Sequence, residues 1–595
     1  MKHGILFGES IKTEKIKKHR YDDGNIELRS RGFLLPIVLV IVLVFIVAKL
    51  FSLQIIHGDE YKKLADSNRT RTQIIHAPRG VIFDRDGEPL VYNIPGFRQT
   101  KDKKTIHLSR DDALSKIAKG DRSVEIDSLR EYPYKDAASH AIGYIGQISE
   151  DELKLSEFKN YPSSDWIGKS GIERQYEHDL RGIDGKQLVE VDAMGKPMRS
   201  LGQTDPIPGK NITLTLSANL QKAVYNATKD VIKGAVVVSN PKGEILAMIS
   251  RPTFDPNLFT LDETYIASKS SYPTIEAILS DNDKQPLLDR SIAGVYPPGS
   301  TFKIVTAISG LENKIIDENY RVEDTGILRI GDFSFANWYF TQYGRTDGEV
   351  DVVKGIARSN DIFFYKLGQL IGVDTLSDTA RKFGLGSALG IDLQGEAAGL
   401  VPTKEWKKKT LGEDWYLGDN YHYGIGQGYL LATPLQVNAW TQVVANGGTL
   451  YQPHFIKDQK SKVKSQNLIS QKSLPLIRQG MVDACNRGGV AWPFFDFKVK
   501  NQELLSKIDG KDFLEPTAAT GSAVASDDVG ISVACKTGTA QHGGEDTLPH
   551  AWITLFAPAY NPQIVITVLA ESSGEGSNIA APIAKKILEE YFRKK

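Results

Sequence analysis

The sequence predicts an α+β chain in which a single membrane-spanning helix precedes a body built on a mainly antiparallel sheet. Three observations lead to this prediction: a hairpin pattern around residue 240, three strand candidates followed by an amphipathic helix near the C-terminal end, and a long apolar run after residue 32. Strands at both ends of a segment with helices between them are typical of sheets assembled from distant parts of a chain.

The composition is that of a large globular protein. A chain of 595 residues suggests about three or four domains, and its 41% hydrophobic and 25% charged residues are ordinary values. Because 73 Lys and Arg residues balance 73 Asp and Glu residues, no nucleic-acid partner is expected. Only two cysteines occur, Cys485 and Cys535, which excludes a disulfide scaffold and a zinc site of four thiolates.

The apolar run is long enough to cross a membrane. Residues 33–48 are all apolar or proline, and after Lys49 the apolar character resumes through Ile56. About 20 such residues span a bilayer core, so we predict a transmembrane helix over residues 32–56. Basic residues precede this span and the acidic stretch His57–Glu60 follows it. The positive-inside rule therefore places residues 1–31 in the cytoplasm and the body outside.

The body divides into two regions by pattern. Residues 57–204 contain recurring glycines and only short strand-like runs, which indicates a loop-rich mixed module. The pattern changes near Pro208-Gly209, after which Asn211–Leu216 alternates with period two and is predicted as a strand. We therefore expect a second, larger domain over residues 205–595.

Local patterns predict the elements of this larger domain. Two strand-like runs, Ala235–Ser239 and Glu244–Ile249, flank the turn Asn240-Pro-Lys-Gly243 and predict a hairpin. Thr433-Pro-Leu-Gln436 predicts a helix start, with Thr433 as N-cap and Gln436 closing a capping box. The last predicted elements are strands at Ile531–Cys535, Ala551–Phe556 and Gln563–Glu571 and a helix over about Ala580–Phe592.

Ser300-Thr-Phe-Lys303 has the features of an activated nucleophile. The tripeptide Pro297-Pro-Gly299 ends the preceding structure, and apolar residues then recur at helical spacing, which places Ser300 at a helix N-terminus. Lys303, three residues on, would lie on the same face. A serine hydroxyl needs a base to take its proton, and a lysine can act as that base if burial or a second cation lowers its pKa.

Two further motifs offer complementary groups. Lys536-Thr-Gly538-Thr539 follows a predicted strand. Its lysine and hydroxyls can bind a carboxylate, and the lack of a side chain at Gly538 would let a substrate backbone approach. Ser359-Asn-Asp361 follows the predicted helix Val352–Arg358 and offers a hydroxyl and a carboxylate for proton transfer. Each motif alone also fits an ordinary polar turn.

Together, and in this order, the three motifs resemble the active-site set of penicillin-binding proteins and serine β-lactamases. The spacings of 59 residues from Ser300 to Ser359 and 177 from Ser359 to Lys536 suit the larger transpeptidases. The sequence motifs around these three resemble those of class B penicillin-binding proteins. They are Tyr296-Pro-Pro-Gly-Ser-Thr-Phe-Lys303, Gly424-Ile-Gly-Gln-Gly428, Thr433-Pro-Leu-Gln436, Ala445-Asn-Gly-Gly448 and Lys536-Thr-Gly-Thr-Ala540.

The resemblance implies a fold and a role. It implies a five-stranded, mainly antiparallel sheet flanked by helices, and a non-catalytic pedestal of the dimerisation type over residues 57–204. Three segments resemble sequence motifs of that pedestal: Arg79-Gly80, Asp84-Arg-Asp-Gly87 and Gly168–Tyr176. Asp361, in a motif where division-type enzymes usually carry asparagine, favours the cell-elongation type. Only about 35 residues separate Gly96 from Arg130, which implies a shortened head and puts partner docking through it in doubt.

The implied reaction is acyl transfer in bacterial cell-wall synthesis at the plasma membrane. Lys303 would take the proton of Ser300, which attacks the D-alanyl-D-alanine end of a stem peptide, and Ser359 would pass a proton to the departing D-alanine. Lys536, Thr537 and Thr539 would hold the terminal carboxylate, and the backbone N–H groups of Ser300 and Thr539 the oxyanion. β-Lactams would be trapped at the same serine. The resemblance implies no metal or cofactor, and a separate membrane glycosyltransferase of the SEDS type as partner.

Three alternatives remain open at this point. A serine β-lactamase or β-lactam sensor shares the three motifs but fits the pedestal words poorly. A bifunctional enzyme would need a glycosyltransferase domain that residues 57–204 are too short to supply, and a catalytically dead scaffold is disfavoured by the intact motifs.

The state of the two cysteines is also open, although the place of Cys535 in a predicted strand favours a small buried apolar residue. His542 and His550 are interpreted as structural or substrate-lining rather than as metal ligands.

Overall fold

The computed structural model describes residues 34–101, 104–121, 123–192, 197–262, 264–501, 503–504, 510–512, 528–544 and 547–593. The predicted cytoplasmic tail, residues 1–31, lies outside these ranges. The chain forms two compact units. One runs to Ile74 and includes Lys186–Thr204, and the other combines Ile75–Gly185 with Asp205–Lys595.

The elements before residue 214 are mostly short. The helices are α1 (Leu34–Phe51), α2 (Gly58–Arg69), α3 (Arg110–Ala118), α4 (Ser139–Ile142), α5 (Gly171–Gln175) and α6 (Glu177–Leu180). The strands are β1 (Thr70–Ile75), β2 (Ile82–Phe83), β3 (Pro89–Lys101), β4 (Lys104–Leu108), β5 (Val124–Glu131), β6 (Ile145–Gln147), β7 (Trp166–Gly168), β8 (Gly185–Val191), β9 (Pro197–Thr204) and β10 (Ile212–Thr213).

The remaining elements alternate between helices and strands. The helices are α7 (Ala218–Ala227), α8 (Ile275–Ser280), α9 (Lys303–Glu312), α10 (Trp338–Tyr343), α11 (Val352–Arg358), α12 (Asp361–Lys382), α13 (Lys404–Leu411), α14 (Leu417–Gly424), α15 (Pro434–Ala445), α16 (Ser473–Cys485) and α17 (Ala580–Phe592). The strands are β11 (Gly234–Ser239), β12 (Ile245–Arg251), β13 (Val322–Asp324), β14 (Ile327–Ile330), β15 (Phe333–Ala336), β16 (Gly348–Val350), β17 (Leu450–Tyr451), β18 (Val463–Ser465), β19 (Lys498–Lys500), β20 (Asp528–Gly530), β21 (Ala534–Ala540), β22 (His550–Ala557) and β23 (Ile564–Ala570).

The first unit holds the predicted membrane span. Helix α1 continues through a π-helical turn, and the segment Leu35–Ile56 has a mean hydropathy of 2.8 with none of its residues buried. This helix is long and apolar enough to cross a bilayer. In the same unit, β1, β8 and β9 form a three-stranded sheet.

The N-terminal part of the second unit is built around β3. This strand pairs with β2 and β4, and its residues 97–99 lie between β4 and β5. The segment between Gly96 and Arg130, predicted as a shortened head, folds as the end of β3 with β4, α3 and β5. The predicted strand over Asn211–Leu216 is wrong in extent, because only β10 is a strand. It pairs with β2 and so belongs to this sheet rather than to the sheet formed by the C-terminal part of the chain.

A buried ionic cluster lies beneath this sheet. Arg79 donates to Glu173 and to Glu177 at 2.7 Å each, and Arg130 donates to the other oxygen of Glu173 at 2.7 Å. Both arginines and both glutamates are at least nine-tenths buried. Charge-assisted hydrogen bonds therefore connect the two pedestal-like motifs, Arg79-Gly80 and Gly168–Tyr176.

The C-terminal part is organised by a five-stranded sheet in the order β12-β11-β23-β22-β21, with every neighbouring pair antiparallel. The hairpin predicted around Asn240 forms β11 and β12, and the last two predicted strands form β22 and β23. Helices α7 and α17 pack on one face of the sheet, and α15 packs on the other. Thr433 and Gln436 form the predicted capping box at the start of α15.

The strand predicted over Ile531–Cys535 begins and ends later in the structure. The sequence predicts that it ends before Lys536, but β21 spans Ala534–Ala540 and contains the whole Lys-Thr-Gly motif. The sequence pattern does not predict this strand over its polar residues, because alternation of apolar and polar residues identifies only strands with one apolar face. Their backbone nevertheless pairs with β22, from Lys536 opposite Thr554 to Thr539 opposite Ala551.

The two cysteines form a disulfide, which corrects the interpretation of Cys535 as a free apolar residue. Cys485 at the end of α16 and Cys535 in β21 have their Cα atoms 5.8 Å apart. That separation is within the range that a disulfide spans, and it arises because α16 packs against β21. The sequence could not reveal this pairing because the two cysteines are 50 residues apart.

Candidate active site

Ser300 lies in a tight turn that leads directly into α9. Residues Gly299–Phe302 form a 3-10 turn, and α9 begins at Lys303. The turn is held from two sides: Gly299 donates its N–H to the carbonyl of Gly426 at 2.9 Å, and a Cβ on Gly299 would lie 3.0 Å from the carbonyl oxygen of Thr539. Ser300 itself is half-buried and lies in this turn beside the Lys-Thr-Gly strand.

The side chain of Lys303 lies in a buried polar cluster. Its Nζ donates to Asp361 Oδ1 at 2.7 Å, to the carbonyl of Ser359 at 2.8 Å and to the Ser359 hydroxyl at 3.4 Å. The side chain has no exposed surface. Within the described part of the chain, the hydrogen bonds of Lys303 thus go to the Ser359–Asp361 motif and not to Ser300.

The junction of two helices positions Ser359. Helix α11 ends at Arg358, and Ser359 follows in the left-handed conformation with φ of 53°. This conformation breaks the helix and leaves both the carbonyl and the hydroxyl of Ser359 within reach of Lys303. The next helix, α12, then begins at Asp361.

Lys536 also reaches the Ser359 hydroxyl. It is completely buried in β21, and its Nζ donates to Ser359 Oγ at 2.8 Å and to the carbonyl of Thr537 at 2.9 Å. The Ser359 hydroxyl therefore lies between two lysine side chains, 3.4 Å from Lys303 Nζ and 2.8 Å from Lys536 Nζ. A hydroxyl placed in this way can accept a proton from one group and donate one to another.

The rest of the Lys-Thr-Gly motif contacts the Ser300 turn or faces solvent. A Cβ on Gly538 would lie 3.0 Å from Thr301 Cγ2 and 3.1 Å from Trp552 Cβ. The space beside Gly538 is therefore filled by the protein itself, where the sequence predicted an approaching substrate. Thr537 is buried, whereas Thr539 is exposed and its Oγ1 accepts a weak hydrogen bond of 3.4 Å from the N–H of Gly576.

Two buried lysines share a single carboxylate in this cluster. Burial lowers the pKa of Lys303, and the carboxylate of Asp361 opposes this effect. Burial, and next the charge of Lys303, hold the pKa of Lys536 well below its usual range, again opposed by Asp361. Because an unpaired buried charge is costly, the cluster favours one positive charge over two. A neutral lysine can accept a proton.

The structure brings four of the predicted residues into direct contact: Lys303, Ser359, Asp361 and Lys536. Sequence reasoning missed the groups that surround Asp361. Its Oδ2 accepts a hydrogen bond from the backbone N–H of Trp338 at 3.0 Å, and its own N–H donates to Asn337 Oδ1 at 3.1 Å. No motif marks Asn337 or Trp338, because they reach the site only through tertiary packing.

Two histidines lie beyond the end of the Lys-Thr-Gly strand. The rings of His542 and His550 stack with centroids 3.7 Å apart, and Ser572 bonds to both of them. Burial, and then the neighbouring His542, lower the pKa of His550 to about 4. Among the described residues, no group of three or more His, Cys, Asp or Glu side chains could hold a metal ion.

Comparison with known families identifies two domains. Residues 234–589 match the penicillin binding protein transpeptidase domain, and residues 122–214 match the penicillin-binding protein dimerisation domain. A relative, the peptidoglycan D,D-transpeptidase MrdA of Acinetobacter baumannii, is 30% identical over 95% of this chain and 88% of its own length.

Solved structures agree with this match. The complex between PBP2 and MreC from Helicobacter pylori has a TM-score of 0.70 and 28% identity, covering 88% of this chain and 98% of the other. Pseudomonas aeruginosa PBP2 in complex with WCK 5153 has a TM-score of 0.66 and 32% identity, covering 88% of this chain and 96% of the other. The chain therefore belongs to the class B penicillin-binding proteins and is homologous to MrdA, the PBP2 of cell elongation.

Proposed function

We propose that the chain is a serine D,D-transpeptidase that cross-links peptidoglycan stem peptides through an acyl-enzyme on Ser300. Family membership gives the reaction class. The observation that most supports the serine mechanism is the convergence of two buried lysines, Lys303 and Lys536, on the hydroxyl of Ser359 next to one carboxylate. Such a cluster can take a proton from a nucleophile and return it to a leaving group.

In the acylation step, neutral Lys303 takes the proton from Ser300 Oγ as this oxygen attacks the penultimate D-alanine carbonyl of a stem peptide ending in D-alanyl-D-alanine. The bond from that carbonyl carbon to the nitrogen of the terminal D-alanine then breaks. The departing nitrogen receives the proton from Lys303 through the Ser359 hydroxyl. Burial of Lys303 supports this role, because burial disfavours the ammonium form and increases the neutral fraction.

Substrate binding is proposed for the Lys-Thr-Gly strand. Lys536, Thr537 and Thr539 would hold the terminal carboxylate, with Gly538 in the same strand. The backbone N–H groups of Ser300 and Thr539 would stabilise the oxyanion. The close packing of the Ser300 turn on β21 supports this pairing, because Gly299 has no room for a side chain beside Thr539.

The acyl-enzyme would be resolved by an amine of a neighbouring stem peptide. Its nitrogen loses a proton to Lys303 and bonds to the carbonyl carbon, the bond from that carbon to Ser300 Oγ breaks, and the oxygen recovers the proton from Lys303. Attack by water would give a residual D,D-carboxypeptidase activity. A β-lactam would acylate Ser300 and remain attached.

The location of this activity is also a proposal. We place residues 1–31 in the cytoplasm and residues 32–56 across the plasma membrane of a bacterial cell. Residues 57–204 would serve as pedestal and residues 205–595 as the transpeptidase domain outside. The single apolar helix and the homology to MrdA support this arrangement. A SEDS-type glycosyltransferase is the proposed membrane partner, and cell-shape maintenance the proposed role.

Labelling with a fluorescent penicillin, followed by mass spectrometry of the adduct, tests the mechanism. The adduct is expected on Ser300, and Ser300→Ala should abolish labelling while leaving the fold intact. Ser156→Ala is the matched control, because Ser156 also precedes a lysine by three residues but is exposed in another part of the chain. Rapid loss of label would indicate a β-lactamase instead, and an unlabelled parent protein would indicate a scaffold.

A further inference from the structure

We infer that Asp324, which lies outside the three active-site motifs, is a positioning residue that holds Asp361 in place against Lys303. The inference rests on the proposed function, since it concerns the carboxylate that faces the proposed base. It is carried by a continuous chain of hydrogen bonds between buried groups.

Asp324 is a buried carboxylate that accepts four hydrogen bonds. It is 2% exposed at the end of β13. Its Oδ2 accepts three hydrogen bonds, from Asn337 Nδ2 at 2.8 Å, Asn360 Nδ2 at 2.8 Å and the N–H of Asp347 at 2.9 Å. Its Oδ1 accepts a fourth from the N–H of Gly326 at 2.9 Å. All four partners are donors, so a carboxylate satisfies all of them, whereas an amide would place its own donor against the N–H of Gly326.

One route from Asp324 to the site passes through Asn337. The amide of Asn337 donates to Asp324, which turns its oxygen toward α12, where it accepts the N–H of Asp361 at 3.1 Å. The next residue, Trp338, donates its N–H to Asp361 Oδ2 at 3.0 Å. Fixing Asn337 therefore fixes two hydrogen bonds to Asp361, one to its backbone and one to its carboxylate.

A second route passes through Asn360. Its Nδ2 donates to Asp324 Oδ2, and its oxygen accepts the N–H of Phe363 at 2.9 Å, which caps the start of α12. Asn360 is completely buried and lies between Ser359 and Asp361 in the sequence. Asp324 thus orders both sides of the Ser-Asn-Asp motif. A buried network of this kind is rigid only while each member is satisfied.

The loss of Asp324 would leave two buried amides without their common acceptor, and Asp361 would lose its fixed orientation. The charged groups that face Lys303 are Asp361 from α12 and Lys536 from β21. Tyr365, also on α12, lies near the same carboxylate. Asp347 and Arg358 form an ion pair on the far side of Asn360. Asp361 is the group among these that raises the pKa of Lys303, so its displacement lowers that pKa.

The test measures the rate of penicillin acylation against pH for the full chain. We expect Asp324→Ala to shift the profile to lower pH by up to about one unit, which corresponds to tenfold in the neutral fraction of a mostly protonated lysine. In an Asp361→Asn background, Asp324→Ala should add no further shift, because the group through which it acts is already neutral. If Asp324→Ala does not fold, Asp324→Asn, whose one carbonyl oxygen can keep the three Oδ2 contacts, should give a smaller shift in the same direction.

Asp255→Ala is the matched control. Asp255 is also a buried carboxylate with three hydrogen bonds, from the backbone and side chain of Asn257 and from Tyr265. It should lower stability without moving the pH profile. An unmoved profile in the Asp324 variants, or a shift that adds fully to that of Asp361→Asn, would overturn the positioning role. Labelling of Ser300→Ala would instead overturn the proposed function, so the two failures are distinguishable.

Discussion

Lys303 is paired with Asp361 at 2.7 Å, and both residues are buried beside Ser359 and Lys536. The resting cluster therefore stabilises the ammonium form of the proposed base through the Asp361 carboxylate. The balance between burial and this carboxylate determines how much of Lys303 is neutral at working pH.

Replacing Lys303 by alanine should slow penicillin acylation by about 10²–10⁴-fold, the usual contribution of a general base. The reason is that no other group at this position can take the proton of Ser300. The second-order rate of labelling is the measurement. Lys314→Ala, which removes an exposed lysine just after the same helix, should acylate at the parent rate. A normal rate in Lys303→Ala would refute the role of general base.

Asp361→Asn should shift the acylation profile to lower pH without abolishing labelling. The carboxylate raises the pKa of Lys303, so its removal lowers that pKa, and the neutral base becomes available at lower pH. The amide still fits the site, and its oxygen can accept from the N–H of Trp338. Asp378→Asn is the control, because Asp378 lies on the same helix but is exposed and paired with Arg381. An unchanged profile would mean that Asp361 does not couple to the base.

Reduction of the disulfide should lower the free energy of unfolding of the second unit by about 2–4 kcal/mol. The bond closes a loop of 50 residues, and its loss gives the unfolded chain more freedom. Urea denaturation with and without a reductant is the measurement. The double variant Cys485→Ala/Cys535→Ala should already be destabilised and should not respond to the reductant. If it responds as the parent does, the effect of the reductant does not come from this bond.

Glu173→Gln should destabilise the second unit by about 3–5 kcal/mol, because it removes the charge between Arg79 and Arg130. Burial raises the pKa of Glu173, but the two arginines outweigh it and hold that pKa below its ordinary range. The stabilising charge is thus present at neutral pH and is lost as pH falls through the lowered pKa.

Urea denaturation at neutral pH and near about pH 4 measures this pH dependence. The parent should lose stability toward low pH more steeply than Glu173→Gln. Glu318→Gln, at a surface pair with Lys472, should behave like the parent. Equal slopes in the parent and in Glu173→Gln would contradict the assignment.

Much of the fold could be predicted because its signals are local. The hairpin at Asn240, the capping box at Thr433 and the helix Val352–Arg358 each follow from turn chemistry or helical spacing within a few residues, and each is present. The strand that carries Lys536 was predicted to end too early because its polar residues do not alternate. Its strand character comes from pairing with β22, which is a tertiary effect.

The site could be predicted only as far as its motifs extend. Recognisable sequence motifs contain Ser359, Asp361 and Lys536, and the structure brings these residues together with Lys303. No such motif contains Asp324 or Asn337. They act through hydrogen bonds between β13, the start of α10 and α12, and neither residue type nor spacing marks those contacts. The disulfide was missed for the same reason.

The tight packing at Gly538 limits how this enzyme can acquire resistance to β-lactams. Resistance requires a change that slows the reaction with the drug and spares the reaction with the stem peptide. A side chain at Gly538 would press on Thr301 and Trp552 and move the Ser300 turn and the strand apart. Drug and natural substrate would then lose reactivity together.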